Sequence, residues 1–170
     1  AIGEIAGDMA SDRRMSRLLQ GDVGAGKTLV AFMALLIAVE AGGQGAMMAP
    51  TEILARQHLE SLRPLAEDAG VVLELLTGRD RGADRAAKLK ALAEGDIHIL
   101  VGTHAVFQKD VAFHDLRLAI VDEQHRFGVA QRMELGAKGG AADVLVMTAT
   151  PIPRSLSLAQ YGDMDVSVLD

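Results

Sequence analysis

Cysteine is absent from this 170-residue chain, so the chain can form no disulfide, no thiolate metal site and no cysteine nucleophile. The five histidines do not cluster at the spacing of metal ligands. Aromatic residues make up only 3% of the sequence, which argues against the base-stacking platforms of single-strand-binding proteins. The chain is 49% hydrophobic and 24% charged, a balance typical of a soluble protein with a substantial core. These values predict one domain over residues 1–170.

Long apolar runs are missing as well. The longest, residues 29–39, is about half of the ~20 residues that a membrane-spanning helix needs. The N-terminus has neither the basic nor the apolar segment of a signal peptide. The net charge of −6 argues against a generic polycationic nucleic-acid binder, though not against a local phosphate-binding groove. We therefore expect a cytoplasmic protein without membrane association, and the missing initiator methionine indicates a fragment of a longer protein.

Short apolar runs alternate with amphipathic segments along the chain. The predicted strands are residues 16–20, 45–49, 71–76, 97–101, 118–122 and 144–148. The predicted helices are residues 27–41, 52–67, 84–94 and 129–138. Most of the strands are apolar on both faces, as expected for strands that lie between two layers of helices. This alternation predicts an α/β fold with a parallel sheet, right-handed crossovers and helices on both faces.

One segment has the G-x-x-x-x-G-K-[ST] pattern of a phosphate-binding loop, and it consists of Gly21, Asp22, Val23, Gly24, Ala25, Gly26, Lys27 and Thr28. The glycines let the backbone turn several N–H groups towards one anion. Lys27 supplies a positive charge to the outer phosphates, and Thr28 offers a hydroxyl to Mg²⁺. A chance match is the alternative, but an apolar strand before the loop and an apolar helix after it favour a nucleotide site.

A second motif begins at the end of the predicted strand 118–122. Asp122 is placed there to hold Mg²⁺, directly or through water, and Glu123 to orient or deprotonate the attacking water. Acidic residues also cap buried strands without any catalytic role, and the phosphate loop favours the catalytic interpretation. The candidate catalytic residues are therefore Lys27, Asp122 and Glu123, and the candidate metal ligands are Thr28 and Asp122.

These motifs and several shorter strings resemble those of superfamily 2 helicases and translocases. The string DEQH at residues 122–125 resembles their DExH box. APTE at residues 49–52, GTH at 102–104 and TATP at 148–151 resemble motifs Ia, Ib and III, in the expected order. The longer strings LQGDVGAGKT at 19–28, DEQHRFG at 122–128 and TPIPR at 150–154 are similar to the RecG family of branched-DNA helicases.

The resemblance covers nearly the whole chain, but only the first of the family's two motor lobes. It implies a RecA-like P-loop NTPase fold and an ATP-dependent DNA helicase that acts on branched DNA in bacterial repair and recombination. It also implies a wedge domain and a second RecA-like lobe, which carries an arginine finger, in the same parent chain. The family's adenine-reading glutamine would lie upstream of Ala1.

The resemblance also implies contacts with nucleic acid. Thr51, Thr103 and His104 are the candidates for contact with the sugar-phosphate backbone, which positions a strand without reading its sequence. Arg56 and Gln57 are weaker candidates. Thr51 also suits the N-cap of the helix that follows it, and the two roles are compatible.

By the same resemblance, four residues couple the nucleotide state to the DNA contacts: Gln124, His125, Thr148 and Thr150. An ordinary threonine-rich turn before Pro151 is the alternative for the last two. The other histidines, His58, His98 and His114, are assigned no functional role.

Three other functions stay open at this point. The transcription-repair coupling translocase shares the HRFG and TATPIPR strings, but it usually has Glu where this chain has Gln124. A P-loop kinase would need an arginine-rich lid, and none is visible in the sequence. A nucleotide-binding module without catalysis is disfavoured because Lys27, Thr28, Asp122 and Glu123 are all present.

Overall fold

The computed structural model describes residues 16–20, 27–122, 143–148 and 165–168, and side chains over 28–122 and 143–147. The strands in this part of the chain are β1 (Ser16–Gln20), β2 (Gln44–Met48), β3 (Leu73–Leu76), β4 (Ile99–Gly102), β5 (Leu116–Asp122), β6 (Asp143–Thr148) and β7 (Asp165–Val168). The helices are α1 (Lys27–Glu40), α2 (Glu52–Ala69), α3 (Gly82–Glu94) and a one-turn 3-10 helix (His104–Phe107).

The seven strands form one parallel sheet in the order β3-β4-β2-β5-β6-β1-β7. The connections β1 to β2 and β2 to β3 both move in one direction across this order, whereas β3 to β4 moves back. Because such crossovers are right-handed, α1 and α2 lie on one face of the sheet and α3 lies on the other. The predicted α/β fold with helices on both faces is confirmed.

Alternate residues of the central strands belong to two separate hydrophobic cores, one on each face of the sheet. On one face, Met47 of β2 and Ile120 of β5 pack against the buried sides of α1 and α2. On the other face, Met48 and Val121 pack with Leu92 of α3 and with the 3-10 helix. Burial on both faces explains why these strands read as continuous apolar runs. Within the described residues, no helix is long and apolar enough to cross a membrane.

The predicted elements match the observed ones with shifts at their ends. β1 has the predicted bounds, α1 ends one residue earlier than predicted, and β2 is displaced by one residue at both ends. β3 begins two residues later than predicted, since the carbonyl of Val72 accepts the backbone N–H groups of both His98 and Ile99 before the regular ladder starts. β7 was not predicted, and the predicted helix 129–138 lies outside the described residues.

The carboxyl ends of all the strands meet at one edge of the sheet, which we call the carboxyl edge, because the strands are parallel. The last or next-to-last residues of neighbouring strands align there in register: Thr148 with Gln20, Met147 with Asp122, Val121 with Met48, and Gly102 with Met48. In parallel α/β folds, ligands bind at this edge. The fold therefore places the ends of all the motif-bearing strands on one side of the molecule.

Candidate nucleotide-binding site

The phosphate-binding pattern spans the connection between β1 and α1. β1 ends at Gln20 and α1 begins at Lys27, while residues 21–26 lie outside the described residues. Thr28 is half-buried in the first turn of α1. That turn contains no acidic residue, so no side chain there neutralises the partial positive charge of the helix N-terminus. This arrangement favours the binding of an anion.

Asp122 is the last residue of β5 and is only 7% exposed. β6 alone separates β5 from β1 in the sheet, so the two strand ends are about 10 Å apart at the usual spacing of strands. The carboxylate of Asp122 and the hydroxyl of Thr28 are hard oxygen donors, the type that Mg²⁺ prefers. The two predicted ligands therefore belong to elements that end or begin at the same edge, and their chemistry fits a magnesium-nucleotide complex.

His58 is the histidine that sequence reasoning left without a role, and the structure places it against Asp122. Its Nε2 atom lies 2.6 Å from the Oδ2 atom of Asp122. The two residues are 64 positions apart in the sequence. The local pattern held one signal, since His58 falls at helical spacing from the buried residues Ala55 and Leu62 of α2. Its partner could not be read from the sequence.

Thr51 is the N-cap of α2, and its Oγ1 atom accepts a hydrogen bond from the backbone N–H of Leu54 at 3.2 Å. The predicted capping role is therefore confirmed. Thr51 itself is exposed, which leaves its surface open for the DNA contact that the resemblance implies.

Arg56 and Gln57 are both exposed on the first turns of α2. The Arg56 guanidinium forms an ion pair with Glu52 at 2.9 Å, and Arg79 pairs with the same carboxylate at 3.0 Å. Two arginines thus share one acidic partner beside Thr51. Gln57 adds an exposed amide to the same surface.

Thr103 and His104 follow β4 at the carboxyl edge, but they differ in access. Thr103 is 7% exposed, and its Oγ1 atom accepts a hydrogen bond from the backbone N–H of Ala105. His104 is exposed. A Cβ atom on the preceding Gly102 would clash with the backbone carbonyl of Leu76 in β3. The close approach of β3 and β4 therefore requires glycine at position 102. Of the two residues predicted to contact DNA, His104 is the accessible one.

The predicted coupling and water-activating residues fall mostly outside the described part. Thr148 ends β6, directly beside Gln20 of β1. Glu123, Gln124, His125 and Thr150 lie outside the described residues. The APTE and GTH segments are joined directly, since the backbone N–H of Ala49 donates to the carbonyl of Gly102 at 2.8 Å.

Comparison with known proteins gives a consistent result. The sequence model of the family described as DEAD/DEAH box helicase matches residues 4–158. The chain is 58% identical over 169 residues to the ATP-dependent DNA helicase RecG of Bacillus subtilis, and 50% identical over 173 residues to that of Escherichia coli K12. Each match covers 99% of this chain and 25% of the relative, so the chain spans about a quarter of the length of these relatives.

Solved structures show the same relationship. The structure of RecG bound to a three-way DNA junction matches 99% of this chain and 22% of that chain, with 45% identity and a TM-score of 0.80. The Hef helicase domain of Pyrococcus furiosus is 22% identical with a TM-score of 0.70, a likeness that shows the fold alone. The predicted RecA-like fold and the predicted resemblance to RecG are both confirmed. Because the family model matches residues 4–158, the chain belongs to the DEAD/DEAH box helicase family.

Proposed function

We propose that this chain is the first RecA-like motor lobe of an ATP-dependent DNA helicase that acts on branched DNA in repair and recombination. The observation that carries the proposal is that the motif-bearing strands end together at the carboxyl edge. There, only β6 separates the strand of buried Asp122 from the strand that leads into the phosphate loop. The 58% identity to one RecG helicase, and the 45% identity to a RecG structure bound to a three-way junction, support the choice of DNA substrate.

In this proposal the backbone of residues 21–26, together with Lys27, binds the phosphates of ATP. Thr28 and Asp122 hold Mg²⁺, which neutralises phosphate charge when it is bound. Glu123 accepts a proton from the attacking water, and such general-base catalysis contributes roughly 10²–10⁴ to the rate. Turnover also requires the arginine finger of a second lobe in the same protein.

DNA lies on the surface at the start of α2 and after β4. There Thr51, Arg56, Gln57 and His104 contact the sugar-phosphate backbone, and Thr103 supports this surface from beneath. Such contacts give sequence-independent affinity that falls steeply with salt. A wedge domain of the parent protein engages the branch point. We place this protein in the bacterial cytoplasm.

ATP hydrolysis by the full-length protein that carries this chain tests the proposal. It should be measured without DNA, with linear duplex and with a three-way junction of the same total length. We expect the junction to stimulate hydrolysis most, and Glu123→Gln to abolish turnover while nucleotide binding remains. Equal stimulation by linear duplex would contradict the assignment to branched DNA, and full activity of Glu123→Gln would contradict the role of Glu123.

A further inference from the structure

The contact between His58 and Asp122 joins two elements that the sequence separates widely. His58 lies on α2, and Asp122 ends β5. Their side chains are 14% and 10% exposed, and Nε2 lies 2.6 Å from Oδ2. This contact brings a side chain of α2 to the carboxylate that we assign to the metal.

The chemistry of this contact fixes the roles of its two atoms. A carboxylate that binds a metal ion accepts hydrogen bonds and donates none, so in the proposed role of Asp122 the hydrogen of this contact is on the Nε2 atom of His58. Hydrogen bonds to a charged acceptor are shorter and stronger than neutral ones, which agrees with the 2.6 Å distance. Because such a bond is directional, it holds one oxygen of Asp122 and thereby limits rotation of the whole carboxylate.

The helix holds His58 firmly in place. α2 is capped by Thr51, and its buried residues Ala55, Leu59 and Leu62 surround the position of His58 along the helix. The packing of α2 therefore fixes the backbone position from which the imidazole of His58 reaches Asp122. A donor on a packed helix gives a buried carboxylate a defined orientation, whereas water would not.

We infer that His58 is a positioning residue for the metal ligand Asp122. The bond to Oδ2 holds the carboxylate in the orientation that binds the Mg²⁺ of the nucleotide complex. This inference rests on the proposed role of Asp122 in nucleotide binding. Hydrogen-bond partners of metal ligands commonly act in this way, and their loss costs about 10–100-fold in metal affinity or activity.

The test measures how nucleotide binding depends on Mg²⁺ in the full-length protein. Binding of a fluorescent ADP analogue is followed as MgCl₂ is added, which gives a half-saturating Mg²⁺ concentration. His58→Leu keeps a similar bulk in a good helix former but removes the donor. His58→Gln places an amide N–H the same number of bonds from the backbone as Nε2. His114→Leu, at an exposed position, is the matched control.

We expect His58→Leu to raise the half-saturating Mg²⁺ concentration about 10–100-fold, while analogue binding in EDTA is unchanged. His58→Gln and His114→Leu should stay close to the unsubstituted protein. Thermal unfolding of each variant reports whether it is folded. If His58→Leu does not fold, His58→Asn, whose amide is one bond too short, replaces it with the same expectation.

An unchanged Mg²⁺ dependence in folded His58→Leu or His58→Asn would overturn the inference and assign His58 a purely structural role. A half-saturating Mg²⁺ concentration of His58→Gln as high as that of His58→Leu would overturn it too, because a hydrogen-bond donor would then not be what matters. Failure of the unsubstituted protein to bind nucleotide with Mg²⁺ would instead contradict the proposed function, on which the inference rests.

Discussion

A single buried side-chain amide connects one helix with the segments before two strands, at the edge of the sheet opposite the candidate nucleotide site. Gln44, the first residue of β2, is 3% exposed. Its Nε2 atom donates to the carbonyls of Leu92 and Ile97 at 2.9 and 2.7 Å, and its Oε1 atom accepts from the backbone N–H of Asp115 at 2.9 Å. The end of α3 and the approaches to β4 and β5 are thus held by one side chain.

Replacement of this amide should be costly. Gln44→Leu leaves the carbonyl of Ile97 and the backbone N–H of Asp115 without this partner, and each such group costs about 1–3 kcal/mol. The carbonyl of Leu92 keeps the backbone N–H of Gly95 as a donor. We expect the free energy of unfolding in urea to fall by at least about 2 kcal/mol. Gln57→Leu, the same change on the exposed side of α2, should alter it by no more than about 0.5 kcal/mol. Similar values for the two variants would show that the Gln44 bonds contribute little.

Asp80 stabilises the turn that follows β3. Its carboxylate accepts hydrogen bonds from the backbone N–H of Thr77 at 2.9 Å and from the Nζ atom of Lys88 at 2.7 Å. Burial raises the pKa of Asp80, but the bonds from Lys88 and Thr77 outweigh it and hold that pKa below its usual value. The folded protein therefore favours the ionised form.

A lowered pKa in the folded state predicts the direction of the pH dependence. The unfolded chain binds the proton more readily, so the stabilisation by Asp80 is complete above the unfolded pKa of about 3.9 and is lost as the pH falls through the lower folded pKa. We expect Asp80→Asn to be less stable than the unsubstituted chain at pH 6, with a difference that shrinks below pH 4. Urea unfolding across this range measures it, and a difference that grows towards acid pH would contradict the prediction.

At the scale of the element, α2 continues through a proline. Pro64 lies inside the helix Glu52–Ala69, although proline removes one helical hydrogen bond and its ring crowds the preceding turn. The helix persists because Leu59, Leu62 and Ala66 bury its apolar face against the sheet. Tertiary packing here outweighs local propensity.

This conflict predicts a stabilising substitution. Pro64 is exposed, so Pro64→Ala loses no core packing and restores the N–H that can donate to the carbonyl of Glu60. We expect the free energy of unfolding to rise by up to about 3 kcal/mol, the usual cost of a proline inside a helix. Ser61→Ala on the same exposed surface should change it by no more than about 0.5 kcal/mol. A lower stability of Pro64→Ala would mean that the backbone of α2 has adapted to the proline.

The elements themselves could be predicted because their patterns are local. Apolar runs between turn residues located β1 to β6, and Gly70 ends α2 in a left-handed conformation, with φ of 70°, as glycine does readily. The ends of the strands could not be predicted as accurately, because they depend on pairing with distant strands, as at Val72. β7, Asp165–Val168, is held by pairing with β1, and a short segment that begins with Asp carries little signal of its own.

At the scale of the whole molecule, the candidate site also has some features that the local sequence predicts and others that depend on the fold. Contiguous motifs were enough to predict the phosphate loop and the role of Asp122, since each motif carries its chemistry within a few residues. The contact of His58 with Asp122 spans 64 positions, and only the fold brings the two together. The accessibility of His104 and the burial of Thr103 are likewise properties of the folded edge rather than of the GTH string.

The fold gives reason to expect that these 170 residues are stable by themselves. Two apolar cores lie on opposite faces of one sheet, and both contain fully buried residues from several strands and at least one helix. A length of 170 residues is also within the range of single domains. Cooperative urea unfolding of the purified chain would confirm this expectation, whereas a broad transition without a native baseline would contradict it.

The same purified chain should bind a Mg²⁺-nucleotide complex but turn over ATP very slowly. Lys27, Thr28 and Asp122, which we propose as ligands of the phosphates and the metal, all belong to this chain. The arginine finger implied by the resemblance belongs to the second lobe, and in related P-loop enzymes such a finger contributes about 10³–10⁵ to the rate. We therefore expect hydrolysis by the chain alone to be slower than that of the full-length protein by a similar factor, with no stimulation by a three-way junction. Steady-state hydrolysis with and without the junction measures this. Junction-stimulated turnover near the full-length rate would show that one lobe suffices for the chemistry, and the finger would then have to come from this chain's own arginines.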